Sequence, residues 1–96
     1  MLFIINKNSV AIGDWVAKAS ADDVILLIED AVFAAIACDE SPIVQSSGSA
    51  PVIYALSADM QARGVREEAC HKHINVVDYP GFVELVVNNN PIRSIF

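Results

Sequence analysis

The chain has 96 residues and a mass of 10.3 kDa, room for one domain and not for two. Hydrophobic residues make up 54% and charged residues 19%, with a mean hydropathy of +0.45, so an intrinsically disordered chain is excluded. The net charge of −6 makes direct nucleic-acid binding and anchoring to an acidic membrane surface poor expectations. A domain of this size buries only about 60–65% of what its unfolded chain exposes. Its apolar content is high for a small monomer, and some of the surplus is expected to meet other subunits.

In chain order, Leu2–Ile5 is the first apolar run with strand length. Val10, Ala11, Ile12, Trp15, Val16 and Ala19 recur at helical spacing and predict an amphipathic helix. Val24–Ile28 is continuously apolar, as in a parallel-sheet strand covered on both faces. Asp30 is placed to cap a helix over Ala31–Cys38, which is apolar on every side and therefore expected to be buried on more than one face. Residues 41–49 read as a loop. Val52–Leu56 is a third strand, and Ser57 is placed to cap a short helix that Gly64 stops. Ile74–Val77 is a fourth strand. Pro80 suits the first turn of a helix carrying Phe82, Val83, Leu85, Val86 and Val87, which Asn88 to Pro91 end ahead of an apolar tail, Ile92 to Phe96. The alternation predicts a single small α/β domain over residues 1–96, with a mainly parallel sheet of four to five strands flanked by helices in a Rossmann-like three-layer arrangement.

A parallel sheet gathers its strand ends along one edge. That edge would carry Asn6 to Ser9, Glu29 with Asp30, Ser57 with Asp59, and Asp78 with Tyr79. The residues suit a ligand crevice built on Asp30, Asp59 and Asp78, but they equally suit helix caps. Two cysteines fit a reducing cytoplasm rather than a disulfide scaffold. Cys38, beside Asp39 and Glu40, lacks the cation or helix N-terminus that activates a thiol and is a weak catalytic candidate. Cys70, His71 and His73 are too crowded for a four-ligand zinc site, and a surface loop before the fourth strand is the better reading. Trp15 reads as a core or interface anchor, and Arg63 and Arg66 as isolated cations. No phosphate-cradling or metalloprotease motif occurs, so no cofactor, metal or self-sufficient active site is expected. The opening residues lack the basic stretch of a signal peptide, and no apolar run approaches membrane-spanning length.

Three segments carry a family likeness: Leu26-Leu27-Ile28-Glu29-Asp30-Ala31-Val32-Phe33-Ala34-Ala35, then Tyr54 to Gly64 (Y-A-L-x-x-D-x-x-A-R-G), then Val77 to Leu85 (V-D-Y-x-x-F-V-x-L), with an opening strand running into Asn6-Lys7. In this order and length the chain resembles the TusB/DsrH family of the DsrE/DsrF/DsrH-like superfamily. The resemblance implies a cytoplasmic, non-catalytic subunit of a sulfurtransferase complex. Its partners would be TusC/DsrF-like and TusD/DsrE-like subunits in a heterohexamer of two heterotrimers, with sulfur-carrier proteins engaged through the complex. The relay would pass persulfide sulfur toward 2-thiolation of the tRNA wobble uridine or, in the other branch, serve sulfur oxidation. The main sulfur-carrying cysteine then belongs to the TusD/DsrE-like subunit. Some DsrH-like members carry a cysteine in the first helix, whereas Gly13 to Lys18 has none here, which favours a structural role and the tRNA branch. Val32, Phe33 and Ile36 are the expected subunit interface. Isolated, the chain is open to homo-oligomerisation. The alternative is an independent persulfide-carrying thiol protein using Cys38.

Overall fold

The computed structural model describes residues 1–7, 11–20, 22–36, 51–89 and 91–95. Five strands form one sheet in the order β4-β3-β2-β1-β5, every pair parallel. They are β1 (Leu2–Ile5), β2 (Val24–Leu27), β3 (Val52–Leu56), β4 (Ile74–Val77) and β5 (Ile92–Ile95). The first four fall where branched apolar runs predict them. β5 is the stretch that composition marks only as an apolar tail. Ile92, Arg93 and Ser94 are exposed, so no continuous apolar signal exists, and it is the pairing of Leu2 with Ile92 through Ile5 with Ile95 that makes the segment a strand. β1 and β2 sit inside the sheet, and seven of their eight residues expose at most 8% of their surface, as the uninterrupted hydrophobicity requires.

The helices are α1 (Ala11–Lys18), α2 (Ser57–Ala62) and α3 (Tyr79–Asn88), with a 3₁₀ helix at Glu29–Ala35 and a short 3₁₀ turn at Glu67–Ala69. The connections β1-α1-β2 and β3-α2-β4 step across the sheet in one direction, and β4-α3-β5 steps back. Right-handed crossovers stepping in opposite directions lie on opposite faces. The larger core accordingly packs Ile12, Val16, Ala31, Val32, Ala35 and Met60 onto Phe3, Ile5, Ile25, Leu27, Ile53 and Ala55. The smaller core has Phe82, Leu85 and Val86 of α3 over Leu2, Ile4 and Leu26 on the other face.

Three local expectations are corrected. The segment expected as an α-helix over Ala31–Cys38 is a 3₁₀ helix that begins at Glu29, behind Ile28 and without a side-chain cap. Asp30 lies within it rather than before it, and residues 37 and 38 lie outside the described residues. Each residue of a 3₁₀ helix rises about 2.0 Å, against 1.5 Å in an α-helix. That carries the chain to Ile36, which forms a single antiparallel bridge with Cys70, while the His71 amide donates to the Ala35 carbonyl at 2.9 Å. Ser57 does not cap α2 but is its first residue, following Leu56. Arg63 is not an isolated cation, for reasons given below.

Other local signals hold. Gly64 ends α2 at φ 69, with Val65 N donating to Met60 O at 2.9 Å and Gly64 N to Gln61 O at 3.3 Å, the paired bonds of a Schellman close. Val65 and Met60, the two apolar residues that flank such a close, are both buried in the larger core. Asp78 caps α3 by accepting from the Gly81 amide at 2.9 Å, and Pro80 follows in the first turn, where its missing N–H costs nothing.

Candidate functional site

The parallel strands bring Asn6, Glu29, Asp30, Asp59 and Arg63 to one edge, at the carboxyl ends of β1, β2 and β3. The residue that organises the edge is Arg63. Its Nε donates to Asp30 Oδ1 at 2.8 Å, its Nη1 donates to the Asp59 carbonyl at 3.5 Å, and the same nitrogen lies 3.9 Å from Asp59 Oδ1. The two carboxylates differ in setting, since the Asp30 side chain is 67% exposed and that of Asp59 only 19%. The nearby carboxylates, Asp30 first through its hydrogen bond, raise the Arg63 pKa further and keep the guanidinium charged.

Asp59 has a second task. Its Oδ2 accepts from the Glu29 amide at 2.7 Å. Glu29 has φ 50, the one non-glycine residue with positive φ among the described residues. A left-handed conformation is costly for a side chain with a Cβ and persists where its surroundings hold it. Here the holding group is a carboxylate from thirty residues downstream. The Glu29 side chain in turn accepts from Asn6 Nδ2 at 3.4 Å, while Asn6 Oδ1 is buried with no hydrogen-bond partner. The network therefore spans three strand ends and contains three carboxylates, one guanidinium and an unused amide acceptor. Its negative excess suits a cationic or hydrogen-bond-donating group better than an anion.

Of the three acids expected to share a crevice, Asp30 and Asp59 meet at Arg63, and Asp78 is engaged as the α3 cap. Sequence reading missed the role of Arg63, although its spacing four residues after Asp59 in a helix is a usable ion-pair signal. Nothing local signals Asp30, thirty-three residues away.

The three-residue period of the 3₁₀ helix sorts the expected interface residues. Ala31 with Ala34 and Val32 with Ala35 form two inward ridges, and Asp30, Phe33 and Ile36 form the outward one. Val32 is fully buried in its own domain and has no surface left to offer, whereas Phe33 is 37% exposed and Ile36 half-buried.

Cys38 lies outside the described residues. Cys70 is buried on the approach to β4, and its Sγ donates to the Arg66 carbonyl at 3.4 Å. Burial, then Glu67 and Glu68, push its thiol pKa up, the reverse of what an activated sulfur needs. His71 next to it is half-buried, its Nε2 unpartnered, and its pKa is lowered by burial and by His73, whose ring lies 5.3 Å away. An open groove of about 420 Å³ runs along Glu67, Cys70, His71 and Lys72. Among the described residues no group of three or more His, Cys, Asp or Glu could hold a metal ion. Trp15 is half-buried against Phe3 at 5.7 Å, with Arg93 Cζ 5.0 Å and Lys18 Nζ 5.8 Å from its ring. Among the described residues, no helix is long and apolar enough to cross a membrane.

A family model described as DsrH like protein matches residues 7–92. The chain belongs to the DsrH-like family. Membership ties it to sulfur relay, and the match takes in Glu29, Asp30, Asp59 and Arg63 of the network, while Asn6 lies just before it. Two solved structures share the DsrH-like chain's fold. The solution NMR structure of Tm0979 from Thermotoga maritima has a TM-score of 0.67 and 25% identity, covering 93% of this chain and 94% of that one. The crystal structure of the ychN protein from E. coli has a TM-score of 0.64 over 98% of this chain and 97% of that one. Its identity of 9% makes it a likeness of fold alone. No protein of curated function matches the sequence.

Proposed function

We propose that the chain is a cytoplasmic, non-catalytic subunit of a TusBCD-like complex that relays persulfide sulfur toward 2-thiolation of the tRNA wobble uridine. The observation that carries this reading is the family match over residues 7–92. In such a relay a thiolate attacks the outer sulfur of a cysteine persulfide. One S–S bond breaks, another forms, and the donor cysteine leaves as a thiolate. The sulfur-carrying cysteine is assigned to a TusD/DsrE-like partner. Support comes from Cys70, whose sulfur is buried beside two glutamates with a raised pKa, and from the absence of cysteine in α1, where some relatives carry one. The DsrH-like subunit completes the assembly with TusC/DsrF-like and TusD/DsrE-like chains, and its outward ridge, Phe33 and Ile36, is the assigned docking surface.

Co-expression with those two partners from the same genome tests the reading by native mass. A stable particle with the three chains in equal copies is expected. Phe33→Asp should release this chain from it, because a carboxylate placed in an apolar contact is left unpaired. In cells lacking the native copy, Cys38→Ser should restore wobble 2-thiouridine to the parental level. A chain that ignores both partners, or loss of thiolation with Cys38→Ser, would overturn the assignment.

A further inference from the structure

β5 closes one end of the sheet. It pairs with β1 on one side and, among the described residues, with nothing on the other. Pro91, just before it, directs its carbonyl to β1, where it accepts from the Leu2 amide at 3.0 Å. The main-chain groups of a strand alternate sides from one residue to the next. Arg93 therefore continues toward β1, while Ile92 and Ser94 turn their amides and carbonyls to the open side. The strand itself contains no proline and keeps an unbroken register with β1, so nothing in it blunts the edge as a template for a further strand.

The side chains along this edge carry charge. Arg93 stands beside Phe3 and shares its face of the sheet, the one that α1 covers. Its Cζ lies 5.0 Å from the ring of Trp15 on α1, and Lys18 Nζ lies 5.8 Å from the same ring. Neither cation forms an ion pair among the described residues, although Asp14 stands one turn before Lys18 on α1. An indole attracts a cation, but two cations gathered on one ring repel each other. The arrangement is short of an anion. The chain's net charge of −6 does not supply it, because at physiological ionic strength charges more than about 8 Å away are screened. On the other face Ile92 stands beside Leu2 and exposes 39% of its surface.

We propose that the outer edge of β5 takes an extended, acidic segment of another polypeptide as a sixth strand. Alternate side chains of that segment fall on alternate faces. Its carboxylates meet Arg93 and Lys18 on the α1 face, and the apolar residues between them lie beside Ile92 on the α3 face. Main-chain bonds to Ile92 and Ser94 supply affinity, and the alternation of acid with apolar residue supplies specificity. A second copy of this chain is the wrong occupant, because a seam of two β5 strands would bring Arg93 and Lys18 of both copies together. This inference goes beyond the relay reading and does not depend on it. The Phe33 ridge is carried by the 3₁₀ helix that follows β2, and β1 separates β2 from β5.

Trp15 is the single tryptophan of the chain, so its emission reports on the site directly. The probe is a hexapeptide alternating glutamate with valine, capped at both ends. It should shift the emission saturably and slow hydrogen exchange at the Ile92 and Ser94 amides. Arg93→Gln should weaken binding at least ~5-fold, and Arg93→Glu should reverse the preference toward a peptide with lysine in place of glutamate. Lys18→Gln, at an exposed helix position, is the second variant should Arg93→Gln disturb folding. Methylation of alternate peptide nitrogens should abolish the exchange protection, and Phe33→Asp should bind like the parent. Unchanged emission and exchange up to about 1 mM peptide would overturn the proposal. So would equal binding by the methylated peptide, or inorganic phosphate that displaces the peptide with the same emission shift, either of which would leave a plain anion site and no added strand.

Discussion

Asp59→Ala is the most informative substitution at the strand-end network. It removes the 2.7 Å bond from the Glu29 amide to a carboxylate and the longer 3.9 Å approach to Arg63. A hydrogen bond to a charged group contributes about 1.5–3 kcal/mol. The Glu29 amide lies in an exposed setting, where water can replace the lost acceptor, so the low end applies: about 1.5 kcal/mol. For a domain of this size that is a fall in melting temperature of roughly 6–12 °C. Urea unfolding followed by circular dichroism gives the free energy, with Asp30→Ala as comparison. Asp30 is 67% exposed and makes only a surface ion pair, so its loss should be barely measurable. Asp59→Asn keeps an acceptor oxygen and should recover about half the loss. The cycle with Glu29→Gly identifies the mechanism. If the carboxylate stabilises a left-handed residue, glycine at position 29 should reduce the cost of Asp59→Ala by at least ~0.5 kcal/mol. A loss within about 0.5 kcal/mol of zero for Asp59→Ala, or an equal loss for Asp30→Ala, would refute the reasoning.

Gly64→Ala should destabilise by about 1 kcal/mol in the same assay, entirely through its φ of 69, since a Cβ there meets nothing within 4 Å. Gly64→Asn should cost less, because asparagine tolerates that conformation. Asp78→Ala deletes the cap on the Gly81 amide and should cost about 1 kcal/mol, with faster hydrogen exchange confined to the first turn of α3. His71, held below its ordinary pKa of 6.5 by burial and by His73, binds a proton more readily in the unfolded chain. Its contribution is therefore complete above pH 6.5 and is lost as the pH falls through the lower folded value. Unfolding free energies at pH 7.5 and pH 5 should show a smaller acid loss in His71→Gln than in the parent, and equal losses would exclude His71 as the source.

Elements whose determinants are local are legible in the sequence. β1 to β4 follow from branched apolar runs, the α2 stop from Gly64, and the α3 start from Asp78 and Pro80, because each of these signals acts within a few residues. The candidate site is only half legible. Parallel pairing predicts that Asn6, Glu29, Asp30 and Asp59 share an edge, but which carboxylate meets which donor depends on the distances between strand ends. Asp30 and Asp78 illustrate the difference. Both look like caps, yet Asp78 has a free amide three residues ahead, while Asp30 follows a residue already turned into the left-handed region.

By itself the sequence determined the alternation of strands and helices, the parallel sheet, the apolar surplus and the family likeness, since composition and spacing carry those along the chain. Only the tertiary structure decided three further things. It made Ile92–Ile95 a strand, because β1 offers that segment a free edge. It made Glu29–Ala35 a 3₁₀ helix, turning Val32 inward and Phe33 outward, because Ile36 must reach Cys70. It placed Arg63 between two carboxylates and set α3 on the face opposite α1, because the direction of each crossover fixes which face its helix occupies. Each of these depends on contacts between segments far apart in the chain, which no local pattern encodes.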